Sequence, residues 1–229
     1  MTPVLVPMAL GNDIITFFEH NGHTLFSQGV TQVWVSALAV AISIVIGLPI
    51  GAVVGHFHRF SMIAVNGGNV LRALPTLSII AIVIGLYGLG LVNIIVALVI
   101  LALPLILTNA YVAVDGVDPG TVRAAQGMGM KGWQILLRVE LPSCVPLVMA
   151  GVRTAWVYVV ATAYLAAFAG FSGTLGDIIV DEGSFGLGGV LAATAVAIVI
   201  AFGGELLLAG VQRVLTPRGL KVASIAAPA

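Results

Sequence analysis

Apolar residues in this chain gather into five long runs, separated by short stretches that carry nearly all the charge. The runs extend from about Gln32 to Val54, Leu74 to Leu86, Leu91 to Val112, Pro146 to Phe168 and Leu187 to Gly210. Runs of about 20 residues, at about 1.5 Å rise each, match a hydrocarbon core ~30 Å thick, so each is read as a membrane-spanning helix. The second has a polar-spiced lead from Ser61 to Arg72. An arginine at mid-membrane costs roughly 2.5–3.5 kcal/mol, so that span is expected to begin near Arg72. One polar interlude, Asp115 to Pro142, is longer than a connection between spans requires. Within it, Asp118 is placed to cap a helix with Pro119 at its first position. That helix should run to about Met128 and stop at Gly129 in a left-handed conformation. A second short helix is expected from Gly132 to about Glu140, ended by Leu141-Pro142. An arm from Asp13 to Phe26, with Ile14, Ile15, Phe17, Phe18 and Leu25, fits an amphipathic interfacial helix.

Composition sharpens this. The chain of 229 residues is 60% hydrophobic and 8% charged, with mean hydropathy +1.16. A soluble domain carries roughly a quarter charged residues, so a soluble globular class is excluded. All nine basic residues (Arg59, Arg72, Arg123, Lys131, Arg138, Arg153, Arg213, Arg218 and Lys221) fall at or near one side of the five-span layout. Asp13, Glu19, Asp177, Asp181 and Glu182 occupy the other. The positive-inside rule then places the interlude and the C-terminus in the cytoplasm and the N-terminal arm outside. The expected organisation is an external arm over 1–31, a transmembrane domain over 32–215 and a cytoplasmic tail over 216–229. No basic region precedes the apolar run Pro3–Leu10, so a cleaved signal peptide is not expected. The single Cys144 excludes an internal disulfide and reads as a small apolar residue in a span. Gly47, Gly51 and Gly55 recur every four residues, a face that lets helix backbones approach closely, and Ala161, Ala163, Ala166 and Ala167 act similarly. Pro49 and Pro75 are expected to kink their spans.

Candidate chemistry is sparse. Lys131 and Lys221 are the only lysines, and neither follows a glycine, so no P-loop is present and ATP must be bound elsewhere if transport is ATP-driven. Ion coupling usually needs an ionisable group at the membrane midplane. Glu205 is the one candidate, and pairing with a base such as Arg153 is the competing reading. Trp156 and Tyr164, eight residues apart, place aromatic rings on one predicted face, suited to weak cation–π contact with a solute or to simple lipid contact. Leu74, Pro75 and Thr76 break the second span and offer a gate. His20/His23 and His56/His58 flank spans without metal-ligand spacing and read as polar interface residues. No catalytic constellation appears, and the scattered basic residues disfavour nucleic acid as a partner.

The interlude resembles a known signature. Ala124-Ala125, then Gly129, then Val139-Glu140-Leu141-Pro142 is similar to the coupling loop of binding-protein-dependent ABC importer permeases. The resemblance implies the all-α type I importer permease fold and a pairing with an identical or sister permease. It also implies a cytoplasmic ABC ATPase dimer that holds ATP and Mg²⁺, an external substrate-binding protein, and no cofactor in this chain. Asp118, Arg123, Ala124, Ala125, Gly129, Trp133, Leu141 and Pro142 would then carry coupling to the ATPase. The family usually has Glu where Arg123 stands, which reverses charge at a contact position. IGLPIGAVVG, LRALPTLSII, DPGTVRAAQGMGM, GVRTAWV and LTPRGL together look like the osmoprotectant branch, which implies glycine betaine, choline or carnitine as solute. Asp177, Asp181 and Glu182, beside Gly170, Gly173 and Gly176, are the expected binding-protein contact. The same machine for an amino acid or sulfonate, an ion-coupled transporter or channel, and a structural subunit stay open.

Overall fold

A membrane interior offers the backbone no hydrogen-bond partners, so an apolar chain of this kind must satisfy its own amides in helices. The computed structural model describes residues 5–57 and 75–217, with side chains from Asp13 onward, and every regular element among them is helical. These are α1 (Leu5–Phe57), α2 (Thr76–Tyr87), α3 (Leu91–Asp115), α4 (Pro119–Gly127), α5 (Gly132–Ile135), α6 (Leu141–Thr162), α7 (Leu175–Val180) and α8 (Glu182–Leu215). A π-helical turn (Leu136–Glu140) joins α5 to α6, and a 3₁₀ turn (Ala163–Ala167) ends α6.

Among the described residues, four helical stretches are long and apolar enough to cross a membrane: Asp13–Phe57, Leu91–Asp115, Gly132–Ala167 and Glu182–Leu215. α2 has 12 residues, which at about 1.5 Å each is shorter than a hydrocarbon core. Among the described residues the expected second span is therefore a short apolar helix. Its lead Ser61–Arg72, with Arg59, His58 and Leu74, lies outside the described residues, as do Arg218, Lys221 and the expected tail beyond Pro217. The arm is not separate from the first span: both belong to α1, broken at Asn21 (φ −118°, ψ 15°). Pro49 does not interrupt α1, whose backbone departs from helix only at Asn21. Pro75 precedes α2 as its N-cap (φ −59°, ψ 130°) and so stands at the start of that helix.

The chain divides into two compact units, residues 1–39, 75–99 and 156–203 in one, and 40–74, 100–155 and 204–229 in the other. The first unit packs Leu25, Leu175, Ile178, Ala192 and Ala193 into a core. The arm belongs to it: Phe17 meets Phe185 edge to face at 6.2 Å, and a Cβ on Gly189 would lie 2.8 Å from the Phe17 ring. Gly176 lets α7 lie directly on the 3₁₀ turn, where any side chain would overlap the Tyr164 carbonyl. The second unit packs Ala52, Ala110, Ala113, Val114, Leu136, Cys144 and Val148. The small-residue face behaves as its spacing predicts. A Cβ on Gly51 would sit 2.5 Å from the Leu107 carbonyl, and one on Gly55 would sit 2.9 Å from that of Tyr111, so α1 and α3 touch through backbone.

Candidate functional site

The interlude forms a built projection within the second unit. Asp118 caps α4: its carboxylate accepts from the Thr121 N–H at 2.8 Å and from the Thr121 hydroxyl at 3.1 Å. The Thr121 and Gly120 amides hold the Asp118 carboxyl below its ordinary value of 3.8. A lowered folded-state pKa means the cap is fully effective above the usual carboxylate range and fades as pH falls through the lowered value. At the other end Gly129 adopts φ +80°. Its N–H bonds the Gln126 carbonyl at 2.9 Å and the Met130 N–H bonds the Ala125 carbonyl at 3.2 Å, the paired closure of a Schellman motif. α5 starts with the Lys131 N–H donating to the Gln134 side chain at 2.9 Å.

Beyond α5 the structure departs from expectation. Leu141-Pro142 does not end a helix; the chain is helical from Gly132 through Ala167. Pro142 has no N–H to give and its ring crowds the preceding turn. The wider π turn, closed by the Leu141 N–H on the Leu136 carbonyl, lets the helix pass this point. The interlude's second helix is thus continuous with α6, and a displacement of α5 has a direct route into the span.

The signature alanines divide their work. Ala124 is exposed, whereas Ala125 is 2% exposed and packs inside the unit, so Ala125 does not present a surface to a partner. The outward surface is Arg123, Ala124, Met128, Gly129 and Trp133, with Met128 76% and Trp133 59% exposed. Two large apolar side chains standing out of a rigid two-helix knob are the anatomy of a docking element. Arg123 directs its Nε to the Pro119 carbonyl on its own helix at 3.2 Å and remains exposed. Leu141 and Pro142 are half-buried and line an apolar groove of about 410 Å³ with Leu48, Val145 and Leu215.

One pair was not foreseen. His56, at the end of α1, donates Nδ1 to the Glu140 carboxylate at 2.7 Å, with both side chains almost wholly buried. His56 therefore faces the interior of this unit rather than an interface. Its other nitrogen lies against Gly132, which has no side chain to push it away. The imidazole so touches both ends of the segment that hangs from α6. The sequence signal was an acid at the head of the uncharged run Leu141–Val152, which demands a partner once it is buried. Replacing His56 by leucine strands a buried carboxylate, a cost of about 1–3 kcal/mol. We expect the His56→Leu assembly to hydrolyse more ATP per solute moved, and Glu140→Gln, which keeps an acceptor, to do so less. An unchanged ratio in reconstituted vesicles would reduce the pair to a structural role.

Glu205 is also accounted for. Arg153 donates through Nε to Glu205 at 2.9 Å and through Nη2 to the same oxygen, and through Nη1 to Gln212 at 2.9 Å. Gln212 in turn donates to the Pro146 carbonyl at 3.3 Å, so the acid is one member of a closed network between α6 and α8. In the first unit Trp156 is 8% exposed and donates to the Ala201 carbonyl at 3.2 Å, bracing α8. Tyr164 lies in the 3₁₀ turn beyond the end of α6, so the predicted common helical face with Trp156 does not extend to it. Pro75 and Thr76 start α2, and Leu74 is outside the described residues. Asp177 accepts from the Gly173 N–H at 2.6 Å and holds its own loop, and Asp181 accepts from the Ser184 N–H at 3.2 Å. Asp181 and Glu182 are exposed.

A knob of this kind on an apolar bundle invites comparison with known proteins. The family model described as binding-protein-dependent transport system inner membrane component matches residues 43–220, and so takes in the whole interlude. This chain belongs to that family. The permease is 35% identical over 215 residues to the carnitine transport permease protein OpuCB of Listeria monocytogenes, covering 92% of this chain and 96% of the relative. It is 33% identical to the glycine betaine/carnitine/choline permease OpuCB of Bacillus subtilis, over 92% of this chain and 97% of that one. The inward-facing MetNI methionine ABC transporter aligns with TM-score 0.77 at 19% identity, over 87% of this chain and 99% of that one, which establishes the type I importer permease fold. The chain is therefore a multi-pass inner-membrane permease subunit of an ABC importer, not an enzyme, and importers of this kind work with an ATPase and a binding protein.

Proposed function

We propose that this permease carries quaternary-amine osmoprotectants (glycine betaine, choline or carnitine) inward, driven by a cytoplasmic ATPase dimer seated on residues 115–142. The observation that carries the coupling half is the capped, Schellman-closed knob bearing Met128 and Trp133 and running without a break into α6. The solute half rests on relatives named for carnitine, choline and glycine betaine that align along about nine-tenths of the chain. ATP and Mg²⁺ belong to the partner ATPase. A second permease, identical or sister, completes the assembly; a sister that retains the acid opposite Arg123 fits the reversed charge.

The N-terminus faces outside and the C-terminus the cytoplasm. All nine Lys and Arg fall within 40–74, 100–155 and 204–229, whereas Asp13, Glu19, Asp177, Asp181 and Glu182 fall within the other unit. Exposed Asp181 and Glu182 are then placed for the external binding protein. Reconstitution with the copurifying ATPase and receptor tests the reading: ATP-dependent uptake of labelled choline, betaine or carnitine is expected. Uptake of an amino acid or sulfonate alone, or uptake on an ion gradient without ATP, would overturn it.

A further inference from the structure

We infer that the Arg153–Glu205 pair stands in the wall of a water-filled solute passage, as a charge-balanced contact for the amine in transit. The inference rests on the quaternary-amine reading above. Both residues belong to the second unit. Each lies at least about 15 Å of helix from either end of its span, Gly132–Ala167 or Glu182–Leu215. In a hydrocarbon core ~30 Å thick that is membrane depth, where an ionised group facing lipid is strongly disfavoured. Yet the pair is not enclosed: the Arg153 side chain is 31% exposed and that of Glu205 26%. Charges at this depth face a bundle interior or a water-filled cavity, so the open side of this pair fronts water rather than acyl chains.

The hydrogen bonds show what that side offers. Nε and Nη2 of Arg153 both donate to Oε1 of Glu205, and Nη1 donates to Gln212. These bonds use three of the five guanidinium N–H groups and leave Oε2 of the acid with its lone pairs. Gln212 is held by its own bond to the Pro146 carbonyl, so the network fixes both charges in place. A second permease covering this face would have to bring a partner for each open position. Water supplies those partners without a matching surface, and a passing solute replaces it group by group. Choline carries a positive charge alone, whereas glycine betaine and carnitine add a carboxylate. The open carboxylate oxygen attracts the ammonium of all three, and the spare N–H groups donate to the carboxylate of the last two. A balanced pair thus repels neither a cation nor a zwitterion. Because each charge is already engaged by the other, neither holds a solute tightly.

The test uses the complete transporter with its ATPase and receptor in liposomes. Thr154 is exposed beside Arg153, and its hydroxyl donates to the Ala150 carbonyl of its own helix at 3.0 Å, so Thr154→Cys disturbs little. In a Cys144→Ala background, Thr154→Cys should react with a water-soluble thiosulfonate reagent at least about tenfold faster than Leu207→Cys, an exposed apolar position of α8. Uptake of labelled choline and glycine betaine then reads the charges. Glu205→Gln keeps an acceptor for Arg153 but leaves a net positive wall, and the choline-to-betaine uptake ratio is expected to fall about tenfold. Arg153→Gln leaves the acid alone and should raise that ratio. A merely structural ion pair would move the ratio the same way in both variants or in neither, and either result would overturn the contact. Labelling of Thr154→Cys no faster than that of Leu207→Cys would overturn the passage, whatever solute is carried. If the unmutated transporter moves neither amine but moves another solute, the substrate reading fails instead, and the labelling tells the two failures apart.

Discussion

Gly129→Val should leave the permease in the membrane and in its assembly yet cut solute uptake at least about tenfold while ATP hydrolysis continues. Gly129 holds φ +80° and closes the Schellman motif that fixes the angle between α4 and α5. A β-branched residue in that region is strained by about 1–2 kcal/mol. A Cβ there would meet nothing within 4 Å, so no clash inside the permease adds to the strain. The damage falls on the knob: its two helices reorient, and the new methyl groups stand where a partner surface must close over Met128 and Trp133. Gly129→Asn separates the two effects, because asparagine tolerates the left-handed conformation. It should retain the α4–α5 angle and recover part of the coupling. Parallel assays of phosphate release and labelled-solute uptake in the same vesicles read the result; full coupling in Gly129→Val would remove this segment from the mechanism.

Gly51→Leu should act on the frame rather than on coupling. Its Cβ alone would lie 2.5 Å from the Leu107 carbonyl and 2.8 Å from the Ala110 Cβ, and neither backbone nor a methyl can turn aside. The rest of the leucine must push α1 and α3 apart. Ala110 belongs to the core that also holds Ala52, Val114, Leu136 and Cys144, so the foot of the coupling segment loosens with them. Overpacking of this kind costs about 1–3 kcal/mol or more, and in a chain of this size lowers the melting temperature by about 2–12 °C. Gly51→Ala should give a smaller drop. Melting of the detergent-purified permease is the measurement, and a Gly51→Leu protein as stable as the parent would contradict the close approach.

Much of this architecture was legible because lipid imposes simple rules. Leu91–Asp115 was expected as a span to Val112 and Glu182–Leu215 as one from Leu187, since apolar length is the signal and little competes with it. The caps at Asp118 and Gly129 were readable because each depends on one residue's own chemistry. What sequence did not reveal depends on neighbours distant in the chain. The inward face of Ala125 is set by packing of α4 on the turns after it, whereas spacing alone treats the two alanines alike. Pro142 was expected to stop a helix because the rule concerns α-helical spacing; a π turn evades it. His56 and Glu140 are 84 positions apart, and no spacing rule shows that Asp177 accepts from the Gly173 amide. The closure of Glu205 by Arg153 was among the alternatives, and Gln212 completes it.

The most direct measurement of the central claim is a crosslink from the tip of the knob. Cysteine placed at Met128, 76% exposed, in a Cys144→Ala background should join to the ATPase subunit in membrane vesicles and resist impermeant thiol reagents added outside intact cells. Labelling of Met128→Cys from outside, or no crosslink to the ATPase in an assembly that still transports, would contradict the account.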